Sequence, residues 1–225
     1  MRSSSAVSGS KIIDLKNSCH FIEDTVFFVN SQGSVMKPIK NLVNIFAVSV
    51  ALFVAAPALA SDGAFTPDSV SVEAGSDFKS PDTKMWRVGA QWDWNAKWFE
   101  DYPVFIGGYW DTSIGAWHSH DVAGDHDVID FGITPVFRIQ KSGATNFIPY
   151  AEIAIGAHYL TATDITNTRR FSTHFQFGDH VGAGFRFGEG GKFDLGYRLQ
   201  HLSNAGIDHP NPGINFHQIR FEYHF

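Results

Sequence analysis

Residues 128–139 read VIDFGITPVFRI: Ile129, Phe131, Ile133, Pro135, Phe137 and Ile139 alternate with Asp130, Gly132, Thr134 and Arg138. A period of two is the signature of a strand with one apolar and one polar face. The same alternation recurs on either side of this stretch. Trp86, Val88, Ala90, Trp92 and Trp94 oppose Arg87, Gly89, Gln91 and Asp93. Ala151, Ile153, Ile155, Ala157 and Tyr159 oppose Glu152, Gly156 and His158. Phe175, Phe177, Val181, Ala183, Phe185 and Phe187 oppose His174, Gln176, His180, Gly182, Gly184 and Arg186. Eight such segments lie near residues 69–75, 85–94, 104–117, 128–140, 147–160, 173–187, 192–203 and 213–225. Several reach the roughly 9–11 residues of a tilted membrane strand. The polar face is built of glycine and charges, and the apolar face is aromatic. The expected fold is therefore all-β: an eight-stranded antiparallel transmembrane β-barrel, with lipid outside and small or polar side chains inside.

Composition agrees. The 225 residues are 44% hydrophobic, 15% aromatic and 18% charged, with a mean hydropathy of −0.11. This balance argues against intrinsic disorder and against a bundle of membrane helices, whose spans raise mean hydropathy. The formal net charge of −6 argues against a nucleic-acid partner. With one cysteine, Cys19, no disulfide framework or cysteine zinc site can form within one chain.

Leu42–Ala60 is the long apolar run. Met36, Lys37 and Lys40 precede it, and Pro57 and Ala58-Leu59-Ala60 close it. A basic region, an apolar region and a small-x-small ending make a secretory signal peptide. A transmembrane anchor is the competing reading, which the Pro57 break and cleavage-type ending disfavour. Residues 1–35 show no clear period and are read as a start-site artefact, with translation beginning at Met36. The expected organisation is residues 1–35 outside the protein, 36–60 as signal peptide and 61–225 as barrel. Losing Arg2, Lys11, Asp14, Lys16, Glu23, Asp24, Lys37 and Lys40 leaves 12 basic and 20 acidic residues, net −8.

The chain ends in Phe221-x-Tyr223-x-Phe225, which resembles the last strand of Gram-negative outer-membrane proteins. Outer-membrane lipid and the barrel-assembly machinery are the partners this implies, and a homodimer is left open. Link lengths orient the barrel. Gly188–Gly191 is short, whereas the links at 117–127, 161–172 and 204–212 are longer and polar. Short turns face the periplasm in such barrels. The seventh segment then ends near Ser203 at the outer rim, and the eighth descends from Gly213.

At that rim the apolar face turns polar. Leu195, Tyr197 and Leu199 are followed in phase by His201 and Ser203; counting back from Phe225, the outward set is Tyr223, Phe221, Ile219, His217 and Asn215. Pairing across the loop places His201 opposite Asn215, with Cβ atoms about 4.5–5.5 Å apart. A serine within reach of an imidazole that a third group orients is the constellation of a serine hydrolase. Rim residues among lipid head groups are the competing reading of a lone H-x-S.

The stretch Tyr197–Ile214 carries H-L-S-N-A-G-I and then P-N-P-G-I. It resembles the signature of the lipid A 3-O-deacylases (PagL type, also labelled acyloxyacyl hydrolase). The resemblance implies an eight-stranded outer-membrane barrel that removes the ester-linked acyl chain at position 3 of lipid A, without a cofactor. By position it implies His201 as general base and Ser203 as nucleophile. Asn204, Gly206 and Asn211 take oxyanion-hole or loop-shaping roles. The outward parity suits a lipid substrate that approaches sideways from the leaflet. One departure stands out: the family has a glutamate where this chain has Asn215. An amide can accept from the imidazole and fix its tautomer, but it offers no charge to imidazolium. Asp179, outward on the sixth segment, and Asp208, in the adjoining loop, are the substitute acids to consider.

His118, His120, Asp121, Asp125, His126 and Asp127 look metal-binding, but no metal-specific spacing separates them from a solvated loop, and no metal site is expected. The remaining function classes are a non-enzymatic small barrel and an outer-membrane phospholipase. N-terminal sequencing of the outer-membrane form is expected to begin at Ser61. A mature protein that keeps Cys19 would overturn both the start-site and the cleavage readings.

Overall fold

The computed structural model describes residues 20–22, 25–27, 66–79 and 82–225. The chain divides into two units, Met1–Phe46 and Ala47–Phe225. In the first, His20–Ile22 pairs antiparallel with Thr25–Phe27, a short hairpin that no periodicity announced. The expected signal peptide and cleavage site lie outside the described residues.

The second unit holds eight long strands: β1 (Ser69–Asp77), β2 (Lys84–Asp93), β3 (Val104–Asp121), β4 (Gly124–Lys141), β5 (Phe147–Leu160), β6 (Phe175–Phe187), β7 (Phe193–Ser203) and β8 (Ile214–His224). Each pairs antiparallel with its chain neighbours, and β8 pairs with β1 to close the barrel. Closure leaves no unpaired edge, which is what lets strands sit in lipid. The outward parity is as the alternation requires. Ile129, Phe131, Ile133, Phe137 and Ile139 of β4 are exposed, whereas Asp130, Thr134, Val136 and Arg138 are buried. Pro135 has no amide to donate, and the β4–β5 ladder skips Thr134 and Pro135.

The interior is a charge network. Glu73 bonds Arg198 at 2.7 Å and Arg87 at 3.2 Å. Glu152 bonds Arg198 at 2.7 Å and Arg138 at 2.8 Å. Asp194 holds Arg138 at 2.8 Å, and Asp130 holds Arg87 at 2.8 Å. Arg220 pairs with Glu222, and Tyr109 donates to Glu152 at 3.0 Å. Asp194, Glu222 and His224 also lie close enough to share a cation, but Arg138 and Arg220 already hold the two carboxylates.

Two outer links differ from their expected form. The 117–127 stretch is not a loop. β3 and β4 run on as a ribbon whose register continues from Trp117↔Val128 to Asp121↔Gly124. Its inward positions beyond Trp117 and Val128 are polar, with Ser119 buried against Thr83 and His126 beside Asp121, so its residues carry no apolar period to read. Here His118 bonds Asp127 at 2.7 Å and His120 bonds Asp125 at 2.6 Å. The 161–172 link folds back as a small hairpin of Asp164–Thr166 with Arg169–Arg170. It carries Ile165 and Phe171 into an apolar cluster with Met85, Trp117, Val128, Leu160, Leu202, Ile214 and Phe216. That cluster caps the charged interior at the outer end and places Ser172 beside the loop after β7.

Glu152→Ala is expected to destabilise the barrel by about 3–5 kcal/mol, because it removes one of the carboxylates that each of two buried arginines shares, leaving Arg138 to Asp194 and Arg198 to Glu73. Equilibrium urea unfolding in lipid bilayers measures this. An unchanged midpoint would show that Arg138 and Arg198 draw their compensation elsewhere.

Candidate active site

β7 and β8 build the site from their last outward positions before the connecting loop. Along β7, Asp194, Gly196, Arg198, Gln200 and Leu202 are buried, Leu195, Tyr197 and Leu199 are exposed, and His201 and Ser203 are half-buried. His201 faces Asn215 across the strand pair. Its Nδ1 lies 2.7 Å from Asn215 Oδ1. A side-chain carbonyl only accepts, so Nδ1 carries the proton and Nε2 keeps its lone pair. The imidazole is thus held in the tautomer of a general base.

Gly213 explains how the ring fits. Its φ is +62°, and a Cβ built there would stand 2.8 Å from His201 Cε1 and 3.5 Å from Nε2. Only a residue without a Cβ leaves that space and adopts that backbone without strain. The sequence reading took Gly213 as the start of a strand; nothing in the pattern reveals the close approach.

The loop after β7 is organised by Asn204, which is fully buried. Its Nδ2 donates to Ser172 Oγ and to the Asp208 carbonyl, each at 2.9 Å, and its Oδ1 accepts from Gly206 N–H at 2.9 Å. Its own N–H donates to Asn211 Oδ1 at 3.1 Å, and its carbonyl accepts from Ile207 N–H at 3.0 Å. Ala205 and Gly206 have φ of +53° and +77°, the tight reversal this hub holds. Asn204, Gly206 and Asn211 are therefore gathered into one unit beside Ser203, and in this arrangement they brace the loop. Ser172, from the hairpin link, is a member the sequence reading missed.

The two substitute acids sit differently. Asp179 of β6 is the direct cross-strand partner of His201 on the side away from Asn215, and its side chain is exposed. Phe177, two residues back, partners Ser203. The Asp208 carboxylate accepts from His209 N–H at 2.8 Å and so serves its own loop. Asp179 is close in register, and the Asp208 carboxylate is bonded within its own loop.

A closed barrel whose lipid-facing wall carries imidazole, hydroxyl and amide at its outer rim belongs to the outer-membrane enzymes that act on lipid. The model of the lipid A 3-O-deacylase (PagL) family matches residues 84–224, and the chain belongs to that family. A lipid A deacylase PagL of Pseudomonas aeruginosa is 30% identical over 138 residues, covering 61% of this chain and 76% of that protein. One of Bordetella bronchiseptica is 41% identical over 76 residues, 34% of this chain and 41% of that protein. The crystal structure of the outer membrane enzyme PagL superposes with a TM-score of 0.61 at 27% identity, covering 70% of this chain and 99% of that one.

Gly213→Ala is expected to displace the imidazole while the barrel still closes. A displacement of about 1 Å from productive geometry can cost on the order of 100-fold in rate. Deacylation by the heat-modifiable, folded variant tests this. Parent-level turnover would mean that the ring is not fixed by this contact.

Proposed function

We propose that the chain removes the 3-O-linked acyl group of lipid A as a serine esterase, with Ser203 as nucleophile, His201 as base and Asn215 as the group that orients the base. The observation that carries this reading is the 2.7 Å bond from His201 Nδ1 to Asn215 Oδ1 on the same lipid-facing wall as Ser203. Ser203 Oγ attacks the ester carbonyl as Nε2 of His201 takes its proton. The tetrahedral intermediate collapses, the sugar 3-oxygen leaves with that proton, and the acyl group stays on Ser203. Water, deprotonated by the same Nε2, then attacks the acyl-enzyme and releases the fatty acid and Ser203. The oxyanion that forms in each half needs N–H donors; the Asn204 and Gly206 N–H groups beside Ser203 serve once the side chains of Asn211 and Asn204, which hold them in the loop, release them. In the same reading, the chain is exported through a signal peptide that is cleaved after Ala60, and the aromatic-rich last strand addresses the barrel-assembly machinery.

Mass spectrometry of lipid A from cells expressing the chain tests the reaction. Loss of one hydroxyacyl group is expected, and Ser203→Ala or His201→Ala should lower the rate by roughly 10⁴-fold or more in a folded barrel. Near-normal deacylation by Ser203→Ala would sink the assignment. The same assay compares Asn215→Leu with Asp179→Asn. The first should do more damage if the neutral acceptor orients His201, and the second should if Asp179 supplies the charge.

A further inference from the structure

Next to the proposed site, the same wall carries polar side chains that the hydrolysis does not use. Ser76 of β1 and His217 of β8 are cross-strand partners, both half-buried, with Ser76 Oγ 2.7 Å from His217 Nε2. Lys84, the first residue of β2, is Ser76's partner on the other side, and its side chain is exposed. Lys84, Ser76 and His217 therefore form one row on the outward face, and His217 lies one pleat from Asn215. Among the described residues Lys84 has no hydrogen-bond or ion-pair partner. Its other neighbour is His118, which holds the next carboxylate along, Asp127, at 2.7 Å. A charge on the membrane-facing wall of a barrel is costly unless something answers it.

We propose that Lys84, Ser76 and His217 form an anion subsite that takes a phosphate group on the sugar headgroup of the lipid. This deepens, and rests on, the reading that the substrate is lipid A, a phosphorylated glucosamine disaccharide. Lys84 supplies the charge, and the Ser–His pair supplies a directed donor. Either Ser76 O–H donates to Nε2 and leaves Nδ1–H free, or Nε2–H donates to Ser76 and leaves the hydroxyl free. One hydrogen is left to donate in both cases. Position agrees with a headgroup. Strands lie about 4.8 Å apart, so the row reaches roughly 14 Å from β7, within the span of a disaccharide. It also rises as it leaves the site. Leu199, which partners His217, lies four residues short of the end of β7, whereas Lys84 opens β2 at its outer end. A phosphate bound there sits toward the water, while the ester lies at His201.

The test compares kcat and KM of the purified barrel in detergent micelles on lipid A bearing its phosphates and on the same lipid A after phosphatase treatment. The parent is expected to prefer the phosphorylated lipid. Lys84→Ala should raise KM for that lipid about tenfold, the worth of one partly exposed charged contact, and bring the kcat/KM ratio of the two lipids toward one. Lys84→Arg should keep the preference, and Lys192→Ala, at the opposite end of the barrel, should leave the ratio at the parent value. A parent-like ratio for Lys84→Ala, or an equal loss on both lipids, would overturn the subsite. So would abolition of turnover by Ser76→Ala to the level of Ser203→Ala, since the pair would then belong to the chemistry. Binding of the two lipids to Ser203→Ala, followed by tryptophan fluorescence, decides the subsite without turnover. A parent that cleaves neither lipid yet binds the phosphorylated one better through Lys84 would fail the deacylase reading alone.

Discussion

Inside a bilayer a backbone amide has no water to turn to, so strands placed there must close on themselves. Everything else in this chain follows from that constraint. Closure into eight antiparallel strands fixes which residue of each pair sees lipid and which sees the interior, and a slip of one residue would exchange the two faces. The lipid side is then apolar by default: Ile153, Ile155, Val181 and Ile219 are each more than half exposed on it. Polar side chains on that side stand out because lipid gives them nothing to bond. His201, Ser203, Asn215, His217, Ser76, Lys84 and Asp179 share one arc of the outer rim, a wall that a lipid can reach.

The interior obeys the opposite rule. Eight strands enclose room for side chains and little else, and this barrel fills it with Glu73, Arg87, Asp130, Arg138, Glu152, Asp194, Arg198, Arg220 and Glu222. Buried ion pairs recover their desolvation cost only when the geometry satisfies each partner, so the network is better understood as a device for registry than as a source of stability. Arg138 reaches Glu152 on the neighbouring strand and Asp194 across the barrel, and Arg198 reaches Glu73 and Glu152 from opposite sides. A shifted strand would leave each of these arginines facing the wrong row. The pairing of His201 with Asn215 is therefore held from beneath by Arg198 and Gln200 as well as by the ladder itself.

What could be read from the sequence was whatever the period of two controls. The strand segments, the two faces, and the register that sets His201 opposite Asn215 all come from counting parity. Parity fails where both faces are polar. The His118–Asp127 ribbon looks like a loop because its inward residues Ser119, Asp121 and His126 are as polar as the outward His–Asp pairs that replace the apolar period. It fails again where a side chain leaves its own segment. Ile165 and Phe171 sit in a polar link and gave no sign that they cap the barrel. Contacts made by absence are equally silent, since the space that Gly213 leaves for the His201 ring depends on a φ of +62° that no neighbouring residue announces. Ser172 joins Asn204 only because the hairpin link folds back.

Asn215 then makes physical sense as a choice between two costs. In the proposed mechanism, a carboxylate beside His201 would stabilise the imidazolium formed as Ser203 attacks. At a half-buried, lipid-facing position it would also lose hydration, which raises its pKa and removes part of the charge it was there to supply. A neutral amide keeps the Nδ1 hydrogen bond and the tautomer at far smaller desolvation cost. The charge can then come from another carboxylate of the same wall. Asp179 is the one placed for this: it flanks His201 from β6, and its side chain is exposed. In the proposed mechanism the orientation of His201 then rests on the neutral Asn215, and Asp179 is the carboxylate that flanks the ring from the other strand.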